Sequence, residues 1–224
     1  MDYRNEWKHL ISYADMLAIR QRMRAIAQPD QYCRANGSYL VRSLYFDTPK
    51  DKALLDKING VNIREKFRIR YYNNDCSLIR LEKKSKRNGL GNKQGAYLSP
   101  AEAQAIVDGD TGWMPGSGRA LIVELYSKML AEGLKPKTIV DYTREPFIYP
   151  PGNVRVTLDY NIRTGLGCTD FLNPECITIP AGEPTIVLEV KWDNFLPTVI
   201  RDAVQLRSRR SSAFSKYRCC RIYG

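Results

Sequence analysis

The sequence predicts an α+β fold, a mainly antiparallel, eight-stranded β-barrel tunnel with a basic interior and helices packed outside. Three observations carry this expectation. Strand-like segments with period-two alternation recur along the chain, separated by turns or helices. At least five of them gather Arg, Lys and a few carboxylates on one face, and most of these have apolar residues on the other. The chain has 224 residues, 43% hydrophobic and 26% charged, enough for a single domain over 1–224 with its own core.

The elements follow in order. A first strand is expected over residues 3–10. Ser12 then caps a helix, with Asp15 three residues on and Met16, Ile19, Met23 and Ile26 at helical spacing, before Pro29 closes the segment. Residues 39–46 are aromatic and β-branched and end at Asp47-Thr48-Pro49, a strand and a turn. Residues 64–72 and 77–86 form two strands joined by Asn73-Asn74-Asp75, a hairpin. Residues 86–95 are expected to be a glycine-rich basic loop. Ser99-Pro100-Ala101-Glu102 opens a short helix through a capping box, and a longer helix over 119–132 stops at Gly133. Further strands are expected over 138–149, 154–163, 185–192 and 214–223, with a helix near 197–206.

The polar faces are unusual. Arg64, Lys66, Arg68 and Arg70 alternate with Glu65, Phe67, Ile69 and Tyr71. Arg80, Glu82, Lys84 and Lys86 share the next strand's face, and the first strand puts Arg4, Glu6 and Lys8 on one side. Arg155, Thr157 and Asp159 alternate with Val154, Val156 and Leu158, as Glu189 and Lys191 do with Leu188 and Val190. One such face is ordinarily a solvated surface. Like charges on neighbouring strands repel, however, so concentrating them over five strands favours a polyanion-binding sheet. Closing that sheet with its charges inward makes a cationic tunnel.

Lys and Arg number 35 against 24 Asp and Glu, a formal charge of +11, which again points to an anionic partner. No apolar run is long enough to span a bilayer, and the N-terminus has no signal-like stretch, so a cytoplasmic protein is expected. His9 is the only histidine, which disfavours histidine catalysis. The six cysteines contain no C-x-x-C pair, so reduced thiols are expected and not a zinc site.

Several stretches appear in a fixed order: Arg4-x-Glu6-x-Lys8, Ser43 to Asp47, Phe67 to Tyr71, Leu81 to Lys84, Tyr142-Thr143-Arg144, Val154 to Asp159, Leu188 to Lys191 and Phe214-Ser215-Lys216. In this order they resemble the catalytic domain of the VTC polyphosphate polymerases, within the triphosphate tunnel metalloenzymes. The resemblance implies a tunnel that binds a nucleotide triphosphate and a divalent metal. Arg68, Arg70, Lys84, Arg144, Arg155 and Lys216 would then hold phosphates as the catalytic set. Lys8, Arg42, Lys66, Arg80, Lys86 and Lys191 are further candidate substrate-binding residues. Glu189 would hold Mn²⁺ or Mg²⁺, with Glu6, Glu82 and Asp159 as further candidate metal residues.

The implied reaction moves the terminal phosphate of ATP onto a polyphosphate chain. The alternatives are a tunnel triphosphatase, a non-catalytic polyphosphate-binding module, or a nucleic-acid binder using aromatics such as Phe67, Tyr71 and Tyr72; nucleic acid is not the expected partner. Two departures are visible. Arg4 stands where tunnel phosphatases carry a glutamate, which argues against hydrolysis, and Ala213 stands where a further lysine is usual.

Overall fold

The computed structural model describes residues 4–87, 90–206, 210–211 and 214–222. Eight long strands alternate with turns and helices along the chain: β1 (Asn5–Ile11), β2 (Tyr39–Asp47), β3 (Arg64–Tyr72), β4 (Asp75–Arg87), β5 (Leu90–Leu98), β6 (Lys135–Tyr149), β7 (Val154–Thr164) and β8 (Ile186–Trp192). They form one antiparallel sheet in the order β1-β8-β7-β6-β2-β3-β4-β5, strongly curled into a half-barrel. Two-residue strands add to it: Gln28–Pro29 on β6, Ile179–Pro180 on β7 and Arg210–Ser211 on β1.

The local signals act as their chemistry dictates. Ser12 and Ser99 each accept a hydrogen bond from the amide three residues on, and Asp15 and Glu102 reciprocate, so α1 (Tyr13–Ile26) and α3 (Pro100–Asp108) begin in capping boxes. α4 (Ala120–Glu132) stops at Gly133, whose φ of 65° a side chain resists. Asn73 and Asn74 both adopt positive φ in the β3–β4 turn, a conformation that asparagine tolerates. The remaining helices are α2 (Lys52–Ile58), which the sequence reading passed over, α5 (Thr198–Ala203) and α6 (Lys216–Ile222). Among the described residues no helix is long and apolar enough to cross a membrane.

Two expectations are corrected. The basic stretch 86–95 is not a loop: among its described residues it supplies the end of β4 and the start of β5. Gly95 faces Glu82 across the ladder, and a Cβ on it would lie 3.3 Å from Arg80 Nη2, so a bare backbone leaves room for that guanidinium. Residues 214–223 do not form a strand either. Their described part contains helix α6, because Tyr217 and Cys220, one helical turn apart, both bury against the concave side of the sheet.

The core lies mainly on the convex side. Leu44, Phe46, Phe67, Ile69 and Leu81 of β2–β4 pack under α3 and α4, against Ile106, Ile122 and Leu125. Val156, Leu158, Leu188 and Val190 of β7 and β8 pack under α1 and α5. These are the apolar partners in the alternation, so burying them turns the charged face to the concave side. α6 departs from this, and Leu54 of α2 packs against the same concave-side cluster. Tyr217 stacks on Tyr45 with ring centres 5.0 Å apart and donates to Asp47 Oδ2 at 2.6 Å, so α6 stops one part of the concavity.

Candidate functional site

Directly opposed residues of an antiparallel pair share a face, so the register assembles the site. Lys66 faces Lys84, Arg68 faces Glu82 and Arg70 faces Arg80 between β3 and β4. Tyr45 and Ser43 of β2 face Arg68 and Arg70. Arg144 faces Tyr39 on one side and Asp159 on the other. Thr157 faces Glu189, Arg155 faces Lys191, and Glu189 and Lys191 face Lys8 and Glu6 of β1. All of these charged residues therefore line one concave surface.

Arg42 does not join them. It alternates with Ser43 and lies on the convex side, where its guanidinium grips Asp141 at 2.9 to 3.2 Å and the Asn173 carbonyl at 2.5 Å. Its expected role in substrate binding is corrected: buried among these acceptors, it has no path to the concave surface.

The two walls differ. On β3–β4, Glu82 is buried and lies 2.6 Å from Arg68, 2.5 Å from Lys93 and 3.8 Å from Arg70. Burial alone would raise its pKa, but Arg68, Arg70 and Lys93 hold it far below the carboxylate range. Arg70 donates to Ser43 Oγ at 2.9 Å and to the Tyr142 hydroxyl at 3.1 Å. Lys66 sits 5.3 Å over the Tyr45 ring and has no ion pair among the described residues. Burial pulls its pKa down to about 8. Lys84 comes no nearer to a carboxylate than 3.9 Å from Glu6, and burial, with Lys191 and Lys8 nearby, lowers it to about 7. Arg80 stacks on Tyr97 at 5.0 Å, and Lys86 follows at the rim beside Arg64. Burial would raise the Tyr45 phenol, but Arg68, Lys66 and Arg70 outweigh it and bring the pKa to about 7.

The opposite wall is closed by ion pairs. Asp159, fully buried, receives both arms of Arg144 at 2.6 and 2.7 Å and Lys216 at 2.6 Å. Burial opposes its ionisation, yet these cations hold its pKa at about 2. Glu189 lies 3.0 Å from Lys8 and 2.5 Å from Lys191, and the same ammonium groups lie 3.5 and 3.6 Å from Glu6. Arg155 donates to Asp30 and the Tyr39 hydroxyl, both at 2.8 Å.

Sequence reading missed the phenols Tyr39, Tyr45 and Tyr142, as well as Asp30. The first two share the alternating face with Ser43, a signal that was present but carries no charge. Thr157 was seen on the charged face without a role. Its Oγ1 is buried beside Glu189 with no hydrogen-bond partner among the described residues.

The donor chemistry tests the expected metal. Among the described residues no three acidic, histidine or cysteine side chains form a ligand group. Asp159 and Glu82 do not fit, because the guanidinium groups of Arg144 and Arg68 fix them, whereas Glu189 and Glu6 meet only the ammonium groups of lysines. Glu189 and Glu6 do fit in one sense: Mg²⁺ takes one or two carboxylates and completes its shell with phosphate oxygens and water. The orphaned Thr157 hydroxyl adds a third oxygen beside Glu189.

The sequence profile described as the VTC domain matches residues 3–222. The chain belongs to the VTC domain family. This VTC domain is similar in fold to a putative adenylyl cyclase from Hippeastrum described as having a dominant triphosphatase activity, at 13% identity and a TM-score of 0.57, over 97% of this chain and 93% of that one. It is also similar to a putative adenylate cyclase from Bacillus halodurans, at 16% identity and a TM-score of 0.51, over 85% of this chain and 80% of that one. No curated protein matches this chain in sequence. Of its two departures, Arg4 turns to the rim, 2.7 Å from Asp193 and bonded to the Asn153 carbonyl. Ala213 lies outside the described residues, as do Arg207 to Arg209 and Ser212.

Proposed function

We propose that this VTC domain is a polyphosphate polymerase that transfers the terminal phosphate of ATP to the end of a polyphosphate chain. The observation that carries the reading is the asymmetry of the two walls. Among the described residues Lys66, Arg80 and Lys86 have no ion pair, and Arg70 and Lys84 come no nearer to a carboxylate than 3.8 and 3.9 Å, while Glu6 and Glu189 share Lys8 and Lys191 across from them. A wall of under-neutralised cations is matched to phosphates, and the acidic pair to a divalent ion.

In this reading the under-neutralised cations bind the oxygens of donor and acceptor, and the guanidinium groups of Arg70 and Arg80 offer forked donors. Both reactants are polyanions, so the same wall offsets their mutual repulsion. The bond from the γ-phosphorus to the bridging oxygen breaks as a terminal oxygen of the chain attacks in line, and ADP leaves with the bonding pair. Mn²⁺ or Mg²⁺, held by Glu189 and Glu6, would neutralise charge between phosphate groups. Arg68 and Arg144, fixed by Glu82 and Asp159, shape the walls and set their field, and Tyr45 and Tyr142 orient Arg68 and Arg70. A cytoplasmic setting, where ATP is available, belongs to the same reading.

The second reading is a tunnel triphosphatase with water as acceptor. The fold shared with the Hippeastrum protein favours it; Arg4 in place of a carboxylate, and the surplus of cations, favour the polymerase. Incubating the purified protein with ATP and Mn²⁺ separates them. Polyphosphate resolved on a gel with matching ADP supports the polymerase, free phosphate alone supports the triphosphatase, and neither product supports a binding module.

A further inference from the structure

We propose that Cys168 and Cys176 form an oxidisable dithiol, converted by a hydroperoxide into an intramolecular disulfide that clasps the segment behind the β2–β3 wall. Their sulfurs lie 3.0 Å apart, close enough that a small side-chain rotation reaches the ~2.05 Å of a disulfide. Both residues are partly exposed, so an oxidant reaches them. Neither takes part in the concave site.

The segment is built to hold them together. Cys168 N–H donates to the Gly165 carbonyl at 2.9 Å and Cys176 N–H to the Asn173 carbonyl at 3.1 Å, two tight turns flanking the pair. Between them, Phe171 is fully buried against Tyr71, with ring centres 4.8 Å apart. Asn173 binds Asp170 at 2.8 Å. The sulfurs are thus held by a folded loop and not by a chance surface encounter.

The chemistry balances with the oxidant named. The Cys168 thiolate attacks the hydroperoxide, whose O–O bond breaks, giving a sulfenic acid and an alcohol or water. The Cys176 sulfur then displaces the sulfenic oxygen as water, forming the S–S bond. Two thiols lose two electrons and two protons, and the hydroperoxide gains them. Burial and the neighbouring Cys168 raise the pKa of the Cys176 thiol.

The bond has a mechanical consequence. The Phe171 carbonyl accepts from the Tyr71 hydroxyl at 3.0 Å, and the Asn173 carbonyl accepts from Arg42 at 2.5 Å. Arg42 and Tyr71 are the chain neighbours of Ser43 and Arg70, which bond each other on the concave face. Closing the ring fixes those two carbonyls and so stiffens the strands beneath the Arg70 grip.

The test is peptide mapping of the full chain after brief hydrogen peroxide treatment and alkylation of the remaining thiols. The expected result is a Cys168–Cys176 crosslink, reversed by dithiothreitol, with a higher melting temperature in the oxidised form. In Cys176→Ser a dimedone adduct should appear on Cys168. The proposal is overturned if Cys168 and Cys176 both remain alkylatable while other cysteines oxidise, or if either pairs instead with Cys76, which lies in the same cluster. The wild-type map decides the matter even if the serine variant folds poorly.

Discussion

Arg144 closes both arms on Asp159 from the neighbouring strand, at 2.6 and 2.7 Å, in a position where the carboxylate has no contact with water. The resemblance implied a phosphate grip for Arg144, yet its guanidinium is already engaged. Arg144→Ala leaves a buried carboxylate held by Lys216 alone. We expect a loss of about 3–5 kcal/mol of folding stability, as for breaking a buried pair, read by urea unfolding. Arg144→Ala with wild-type stability and weakened triphosphate binding would return Arg144 to the phosphate set.

Lys66 should behave in the opposite way. It is a half-buried ammonium with no ion pair among the described residues, so Lys66→Met removes an unpaired charge and leaves no orphaned partner. Folding stability should hold or rise. Tripolyphosphate binding, followed by calorimetry, should weaken by about 1.5–3 kcal/mol, the range for hydrogen bonds to charged groups. Unchanged affinity would take Lys66 out of the phosphate-binding wall.

The pH dependence has two signs. Lys84 titrates near 7 and Lys66 near 8 in the free protein, below the ~10.4 of an unfolded lysine. Between about pH 7 and 10 the unfolded chain therefore binds more protons than the folded one, and these two residues make stability rise with pH in that window. Anion binding needs both ammonium groups charged, so over the same range affinity should fall, by up to about tenfold per pH unit for each lysine. Calorimetry at pH 7 and pH 9, wild type against a Lys66→Met/Lys84→Met double variant at matched salt, isolates the effect. Parallel pH profiles would rule it out.

Glu189→Gln keeps the shape and removes one charge. If Glu189 helps to hold the metal, product formation should fall at least about a hundredfold, comparable with loss of a major electrostatic group. The substitution also loosens Lys8 and Lys191, which now lie 3.0 and 2.5 Å from the carboxylate. Metal-free triphosphate binding should accordingly persist or tighten. Full activity in Glu189→Gln would dismiss the metal role.

The charged alternation of β3, β4, β7 and β8 was readable because a period of two is a local property of the chain. Helix starts at Ser12 and Ser99 were readable for the same reason. What stayed hidden depends on register. Nothing local says that Arg144 meets Asp159 or that Arg68 meets Glu82, so cations that are neutralised looked like cations that are free. Arg42 was misplaced because an arginine beside Ser43 reads as polar wherever its strand turns. Gly95 of β5 reads as part of a loop because its purpose, space for Arg80, lies on another strand. α6 read as a strand because its helical pair, Tyr217 and Cys220, finds its partners only in the closed fold.

Among the described residues the sheet has two borders that no backbone ladder joins. β5 ends one side and β1, with its two-residue companion, the other; the Lys84 to Glu6 approach at 3.9 Å reaches across between them. A sealed pipe takes in a thread only by its tip. A gutter can be filled from the side, over the part that α6 and the Lys84–Glu6 approach leave open, by a strand whose ends lie far away.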